Sequence, residues 1–347
     1  MIFRRRRARD GGGAAVAEPG GPTQGETLEE LAQRIDELSA QNREERDPER
    51  ELQIRRLRHL AGIRLIHDPP PRPEHVQPAD EGLRNGADLP KVGPNELNAA
   101  RLRAGILEGG CLLVRGLVPE DEAVRLADEI ERTFQARETA RAGGTPPPGY
   151  YDEIEPEPPF DFQARSWVGD SGGVAAVDSP RMMFDMLETF HRVGLRNVIG
   201  EYLGEDPVIS FQKCTLRKAE PSSGGEWHQD GAFLSNPRAL NVWLSLSHCG
   251  DDAPGMDLVP RRLDHIAPTG TDGALFNWSV SQGVAEELAG NAGIVRPIFE
   301  RGDVLFFDDL FLHKTAADPR MPNPRYAIES WFFGPSGYPP DYAPVSF

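Results

Sequence analysis

The chain has 347 residues, enough for one large domain with extensions or for two small ones. Its net charge of −17 at pH 7 argues against a nucleic-acid-binding body, which needs clustered Lys and Arg, but leaves room for a small anion held by a local arginine. No run approaches the roughly 20 apolar residues of a membrane span, and no apolar core follows the basic N-terminus as a secretory signal requires. Cys111, Cys214 and Cys249 form no Cys-x-x-Cys pair, so reduced thiols in the cytoplasm are expected.

Residues 1–25 carry Arg4-Arg5-Arg6-Arg7 and then a Gly/Ala/Pro-rich tract. They bury too little apolar surface to offset the entropy of ordering, and read as a disordered, solvated tail. Residues 26–90 read as a charged helical extension and a Pro-rich linker. A helix is expected over 27–43, with Leu28, Leu31, Ile35 and Leu38 as its stripe. Asp47-Pro48 looks like the cap and first position of a second helix ending near Gly62, and 68–73 like a stiff extended linker. These helices are the candidate surface for a protein partner.

The body is expected over 91–347. It starts with a helix over 95–107, a short buried strand over 110–116 and a helix over 119–137 whose apolar face is Ala123, Leu126, Ala127, Ile130 and Phe134. Residues 138–175 turn to Gly, Pro and acidic content. Such a length without regular structure suits a lid or a disordered insertion, and Tyr150, Tyr151, Phe160, Phe162 and Trp167 tilt the reading toward a lid. One helix is expected over 179–203, with Met183, Leu187, Phe190 and Val193 as its stripe. Strands then follow one another to the C-terminus without alternating helices, which favours an antiparallel jelly roll over a doubly wound sheet. The fold class is therefore mainly β with flanking helices (α+β).

The chemistry-bearing stretch is Glu226-Trp227-His228-Gln229-Asp230-Gly231. On extended chain His228 and Asp230 point to one face. A second imidazole, His313, stands at the end of the apolar run 302–312. Two imidazoles and a carboxylate on one face of an octahedral metal leave the opposite face open, an arrangement suited to ferrous iron. Arg325 opens the strand pattern 325–333 and offers a permanent cation to a dicarboxylic co-substrate. Gln212 and Lys218, of one parity on the preceding strand 208–216 and its continuation, read either as contacts to co-substrate or substrate or as surface residues. Trp243, with Asn241 at the same parity, reads as lining the mouth of the sandwich or as core. His191, His248 and His265 read as surface or packing residues.

At these residues the chain resembles the phytanoyl-CoA dioxygenase family of Fe(II)/2-oxoglutarate oxygenases. The resemblance is carried by Trp-His-Gln-Asp at 227–230, Asn241-Val242-Trp243-Leu244-Ser245-Leu246, Val259-Pro260-Arg261-Arg262-Leu263-Asp264-His265, and the 302–313 run followed by Thr315 and Arg325. With a segment near 105–135 it takes in roughly two thirds of the chain. It implies a double-stranded β-helix (jelly roll, cupin-like) core, with His228, Asp230 and His313 as iron ligands. It also implies Thr315 and Arg325 on the distal carboxylate of 2-oxoglutarate, with O2 as oxidant; Gln212 and Trp243, by their strand positions, are the further candidate cofactor contacts. The implied reaction hydroxylates an unactivated carbon of a small molecule and releases succinate and CO2. Related halogenases lack the carboxylate and place a halide there, so Asp230 points to hydroxylation. The family usually has a Gly-Ser-His-like turn after Val-Pro; Arg261-Arg262-Leu263-Asp264 fills it here, so substrate preference does not carry over. The alternatives are a jelly-roll protein that binds metal or a small acid without turnover, and a zinc cupin.

Overall fold

In the computed structural model, which describes residues 25–80, 82–83, 89–234 and 237–347, the chain begins as a helical hairpin. The tail expected over residues 1–25 lies outside the described residues, Gly25 excepted. Helix α1 (Leu28–Glu44) starts at Thr27, whose hydroxyl accepts from Glu30 N while the Glu30 carboxylate accepts from Thr27 N. Helix α2 (Pro48–His67) starts with Asp47 as cap and Pro48 as first residue, as the sequence indicates, and runs past Gly62 to His67. Gly62 ends nothing. A Cβ there would lie 2.8 Å from Pro344 C and Val345 N, so it lets α2 lie backbone-close against the C-terminal strand. The following stretch has no helix or strand through residue 80, yet Arg238 fastens it by donating to Pro73 O (2.9 Å) and Glu74 O (3.0 Å).

Next come β1 (Lys91–Val92), α3 (Ala99–Gly109), β2 (Cys111–Val114) and α4 (Glu120–Arg141). α3 starts later than its apolar pattern because Asn98 takes the cap, its side chain accepting from Arg101 N (2.9 Å). Between residues 142 and 175 lie α5 (Arg165–Asp170) and β3 (Gly173–Ala175), and Ile154, Phe162 and Val168 are buried in the main core. Helix α2 straps this stretch down: Arg55 donates to Asp152 O (2.7 Å), and His59 Nε2 accepts from Glu157 N (2.9 Å). The single helix expected over 179–203 is two, α6 (Pro180–Arg192) and α7 (Leu195–Leu203). They are broken at Gly194, whose φ of 77° no other residue type adopts cheaply.

The remaining elements are β4 (Val208–Ala219), β5 (Ala239–Ser245), β6 (Gly255–Leu258), α8 (Gln282–Ala289), β7 (Val304–Phe307), β8 (His313–Ala316), β9 (Arg325–Phe333) and β10 (Pro344–Ser346). Helix α8 interrupts the succession of strands that the sequence suggests. The large sheet runs β1-β2-β7-β5-β9-β4-β10, with β3 also on β4, and β6 and β8 form a small second sheet. Among the described strands only β1 and β2 pair parallel. Side chains alternate across the large sheet. Leu112, Val242, Leu244, Phe306 and Phe332 pack toward the helices, whereas Leu113, Trp243, Leu305, Phe307, Trp331 and Phe333 face Met256 and Leu258 of the small sheet. This is a double-stranded β-helix whose large sheet stays open, with a chamber between its layers. No described helix is long and apolar enough to cross a membrane, and the three cysteines are buried thiols.

Candidate metal centre

His228 and His313 meet as a cross-strand pair in which each N–H donates to the other's carbonyl (3.0 and 3.1 Å), and their ring centroids lie 4.4 Å apart. Two details differ from the sequence reading. His228 sits in an isolated bridge rather than a strand, and Asp230 opens a 3-10 turn, Asp230–Ala232. Gln229 between them is extended (φ −117°, ψ 129°), so the two side chains still share a face. His313 does not end the apolar strand either. That strand stops at Phe307, the Asp308 carboxylate accepts from Leu310 N (3.2 Å) in a turn, and His313 opens β8 in the other sheet. The crossing is what delivers the second imidazole. Gly231 N donates to Asp309 O (2.8 Å), and a Cβ at 231 would lie 2.6 Å from Asp309 Oδ2, so the turn holding Asp230 has no room for a side chain there.

Each imidazole sets its Nδ1 on a backbone carbonyl, His228 on Glu226 O (2.8 Å) and His313 on Phe311 O (3.0 Å). A carbonyl only accepts, so Nδ1 carries a proton in each ring, and Nε2 is the nitrogen left available to a metal. Burial, and then His228, push the His313 pKa down to about 4, which keeps that ring neutral. For Asp230 burial acts to raise the pKa. The Lys213 ammonium, 2.7 Å from Oδ1, is the largest opposing influence, and the carboxyl is held well below its ordinary range. The other oxygen, Oδ2, is buried without a hydrogen-bond partner, 3.9 Å from His313 Nε2. One ligand atom from each of the three residues lies within 4.8 Å of the others. Two imidazole nitrogens and an orphaned anionic oxygen fit a divalent cation.

Farther along the chamber Arg325 is 4% exposed. Its Nη1 donates to Gly255 O (3.0 Å) and its guanidinium lies 5.3 Å from the Trp243 ring centroid, while Nε has no partner. Burial lowers its pKa, and no ion pair joins it to a carboxylate among the described residues. A buried guanidinium with a donor to spare fits a carboxylate ligand. Thr315 lies on β8 two residues after His313, hence on the same side, and its neighbour Ala316 pairs with Gly255. Trp243 is both core, packed on Phe299 at 4.7 Å, and the surface under Arg325. Asn241 and Trp331 are cross-strand partners facing the same chamber, and the Asn241 amide atoms and Trp331 Nε1 are buried without partners. Orphaned groups of this kind call for a polar ligand or ordered water.

Gln212 is not brought to this chamber as a contact. Its amide donates to Asp161 O (3.2 Å) and accepts from Ala343 N (3.1 Å), so it ties two chain segments together. Lys218 faces the helices, where its Nζ meets Glu131 (2.8 Å). The face of β4 turned to the chamber carries Lys213, on Asp230, then Thr215, then Arg217, which pairs with Glu329 (2.9 Å). Gln229 is also missed from sequence. Buried between the ligands, it donates to His265 O (3.0 Å) and Leu310 O (2.7 Å) and accepts from Ala267 N (2.7 Å), fixing the loops behind the site. His191 edges onto Phe347, His248 pairs with Glu300 and Asp251, and His265 pairs with Asp264; none joins the cluster.

A jelly roll that converges two imidazoles and a carboxylate, with a buried guanidinium set back in the same chamber, has the architecture of a non-haem Fe(II)/2-oxoglutarate-dependent oxygenase. The chain belongs to the phytanoyl-CoA dioxygenase (PhyH) family, whose model matches residues 106–321. Fe(II), 2-oxoglutarate and O2 are the cofactors of that family. No curated protein matches the chain. Similar solved structures include EctD from S. alaskensis with 2-oxoglutarate and 5-hydroxyectoine, at 18% identity and TM-score 0.48 over 76% of this chain and 87% of that one. The non-heme alpha ketoglutarate dependent carbocyclase SnoK from nogalamycin biosynthesis shares 13% identity at TM-score 0.47 over 74% of this chain and 99% of that one. AviO1 from Streptomyces viridochromogenes Tue57 shares 18% at TM-score 0.45 over 70% and 98%.

Proposed function

We propose that the chain hydroxylates a carbon of a small organic molecule, with residues 91–347 as the oxygenase body, His228, Asp230 and His313 holding Fe(II), and Arg325 with Thr315 holding the distal carboxylate of 2-oxoglutarate. The overall change is R–H + 2-oxoglutarate + O2 → R–OH + succinate + CO2. Four electrons reduce O2, two from the C–H bond and two from the keto acid as it loses CO2; the bound iron and keto acid supply that chemistry.

The protein's own share is positional. The carbonyls of Glu226 and Phe311 fix both imidazoles with Nε2 turned inward. Lys213 occupies one oxygen of Asp230 and keeps the carboxyl ionised, leaving the other for the metal. Arg325, buried beside Trp243, gives the keto acid a single direction along the chamber. The walls around them, Phe307, Phe311 and Trp331, are buried and exclude water.

The observation that carries this reading is the set of buried atoms without partners, Asp230 Oδ2 at one end and Arg325 Nε at the other. Purified protein given Fe(II), ascorbate, O2 and 2-oxoglutarate is expected to release succinate slowly without substrate. Anaerobic Fe(II) protein is expected to gain a visible band on adding 2-oxoglutarate. Absence of both leaves a metal or acid binder without turnover.

A further inference from the structure

We infer that Phe233, Phe276 and Trp278 form the wall on which the substrate lies, and that the part of the substrate beside its reacting carbon is an uncharged, flat ring system. This rests on the reading of His228, Asp230 and His313 as the metal ligands. Four Phe and Trp side chains are exposed among the described residues, and three of them form this one patch. Phe276 and Trp278 stack with planes 4° apart and centroids 5.2 Å apart, and Phe233 meets Trp278 edge-on at 5.8 Å. Leu275, 74% exposed, adjoins Phe276 in the chain.

The patch begins at the candidate metal site. Trp278 packs edge-on against the His228 ring at 6.3 Å, and Phe233 follows Asp230 by three residues, beyond the 3-10 turn. Asp230 and His313 are buried, whereas His228 is partly exposed, so the site opens on the side where Trp278 and Phe233 stand. Polar contacts hold these rings out in water. Gly270 N donates to Ser279 O (3.0 Å), the Ser279 hydroxyl accepts from Phe276 N (3.1 Å), and Val280 N donates to Trp227 O (2.8 Å). A wall kept exposed by its own hydrogen bonds marks a binding surface rather than incidental exposure.

Its chemistry selects the ligand. Among the described residues the cation over the wall is Lys213, 5.8 Å from the Phe233 centroid, and Asp230 already engages it. Among the described residues no other cation lies over these three rings, so a thioester carrying phosphates, or a zwitterion, gains no countercharge on the wall itself, whereas a neutral ring system gains stacking and edge contacts with several rings at once.

The test is calorimetric titration of the Fe(II)/2-oxoglutarate protein under anaerobic conditions with three probes: naphthalen-2-ol, its saturated and non-planar analogue decalin-2-ol, and acetyl-coenzyme A. Naphthalen-2-ol is expected to bind one to one. Trp278→Ala should weaken it at least about tenfold, Trp278→Phe should restore most of the loss, and the other two probes should bind at least about tenfold more weakly. Trp278 is exposed, so its variants are expected to fold, which thermal melting checks. Equal binding of decalin-2-ol or acetyl-coenzyme A, or no effect of Trp278→Ala, overturns the inference. Wild-type succinate release with 2-oxoglutarate alone tests the oxygenase reading separately, so failure of one is distinguishable from failure of the other.

Discussion

Lys213 Nζ lies 2.7 Å from Asp230 Oδ1, and the two side chains are only 10% and 5% exposed. The pair leaves Oδ2 free, so one carboxylate serves an internal cation with one oxygen and offers the other to the chamber. Asp230→Ala is therefore expected to abolish both 2-oxoglutarate turnover and stoichiometric Fe(II) binding. It should also cost about 3–5 kcal/mol of stability, because it strands the Lys213 ammonium. Adding Lys213→Met should recover most of the stability and none of the metal binding, read by denaturant unfolding and metal analysis. Hydroxylation retained in Asp230→Ala would remove Asp230 from the ligand set.

Arg325→Lys keeps the charge but loses the planar fork. Each charge-assisted hydrogen bond to the co-substrate is worth about 1.5–3 kcal/mol, so 2-oxoglutarate affinity should fall ~10- to 100-fold, with metal stoichiometry at the wild-type value. Titration of 2-oxoglutarate into the Zn(II)-loaded variant measures this. Wild-type affinity there would place the distal carboxylate elsewhere.

Gln212→Ala separates a structural amide from a cofactor contact. With Asp161 O and Ala343 N left without their partner, the expected loss is about 1–3 kcal/mol of stability, with KM for 2-oxoglutarate unchanged. A raised KM in a protein of normal Tm would return Gln212 to the co-substrate.

His59 predicts the pH dependence of the strap over α2. Its Nδ1 donates to Pro344 O (2.7 Å) and its Nε2 accepts from Glu157 N–H (2.9 Å), so a second ring proton would point at another N–H. Burial is the largest influence and lowers its pKa below the ordinary 6.5, with the carbonyl of Pro344 and Glu157 acting the other way. As pH falls below about 6.5 the unfolded chain takes up this proton before the folded one, so stability is full above that pH and is lost on acidification. The melting temperature of His59→Gln should fall less between pH 7 and 5 than that of the wild type. Equal slopes would show that His59 protonates in place.

Much of the centre was legible because it is written locally. The Asp47-Pro48 helix start, the His228-Gln229-Asp230 spacing and the strand start at Arg325 each depend on backbone geometry within a few residues. The face of β4 was not legible. Ile209 and Cys214, five residues apart, both face the helices because the register with β9 shifts between them, and no uninterrupted strand does that. A one-residue slip exchanges every side chain between faces, so strand parity alone does not show that Lys213 and Arg217, rather than Gln212 and Lys218, face the chamber.

The amino-acid order alone determined which residue types meet: two imidazoles, a carboxylate and a guanidinium, on chain with the period of strands. Only the packed molecule decided how they meet. His313 reaches His228 because the chain changes sheets at Asp308, and Lys213 neutralises Asp230 across seventeen positions. Trp278 comes to stand at the opening through a loop pinned to Trp227. Short-range torsional and hydrogen-bonding preferences are encoded residue by residue, whereas contacts between distant segments depend on register and layer packing, which the whole chain sets together.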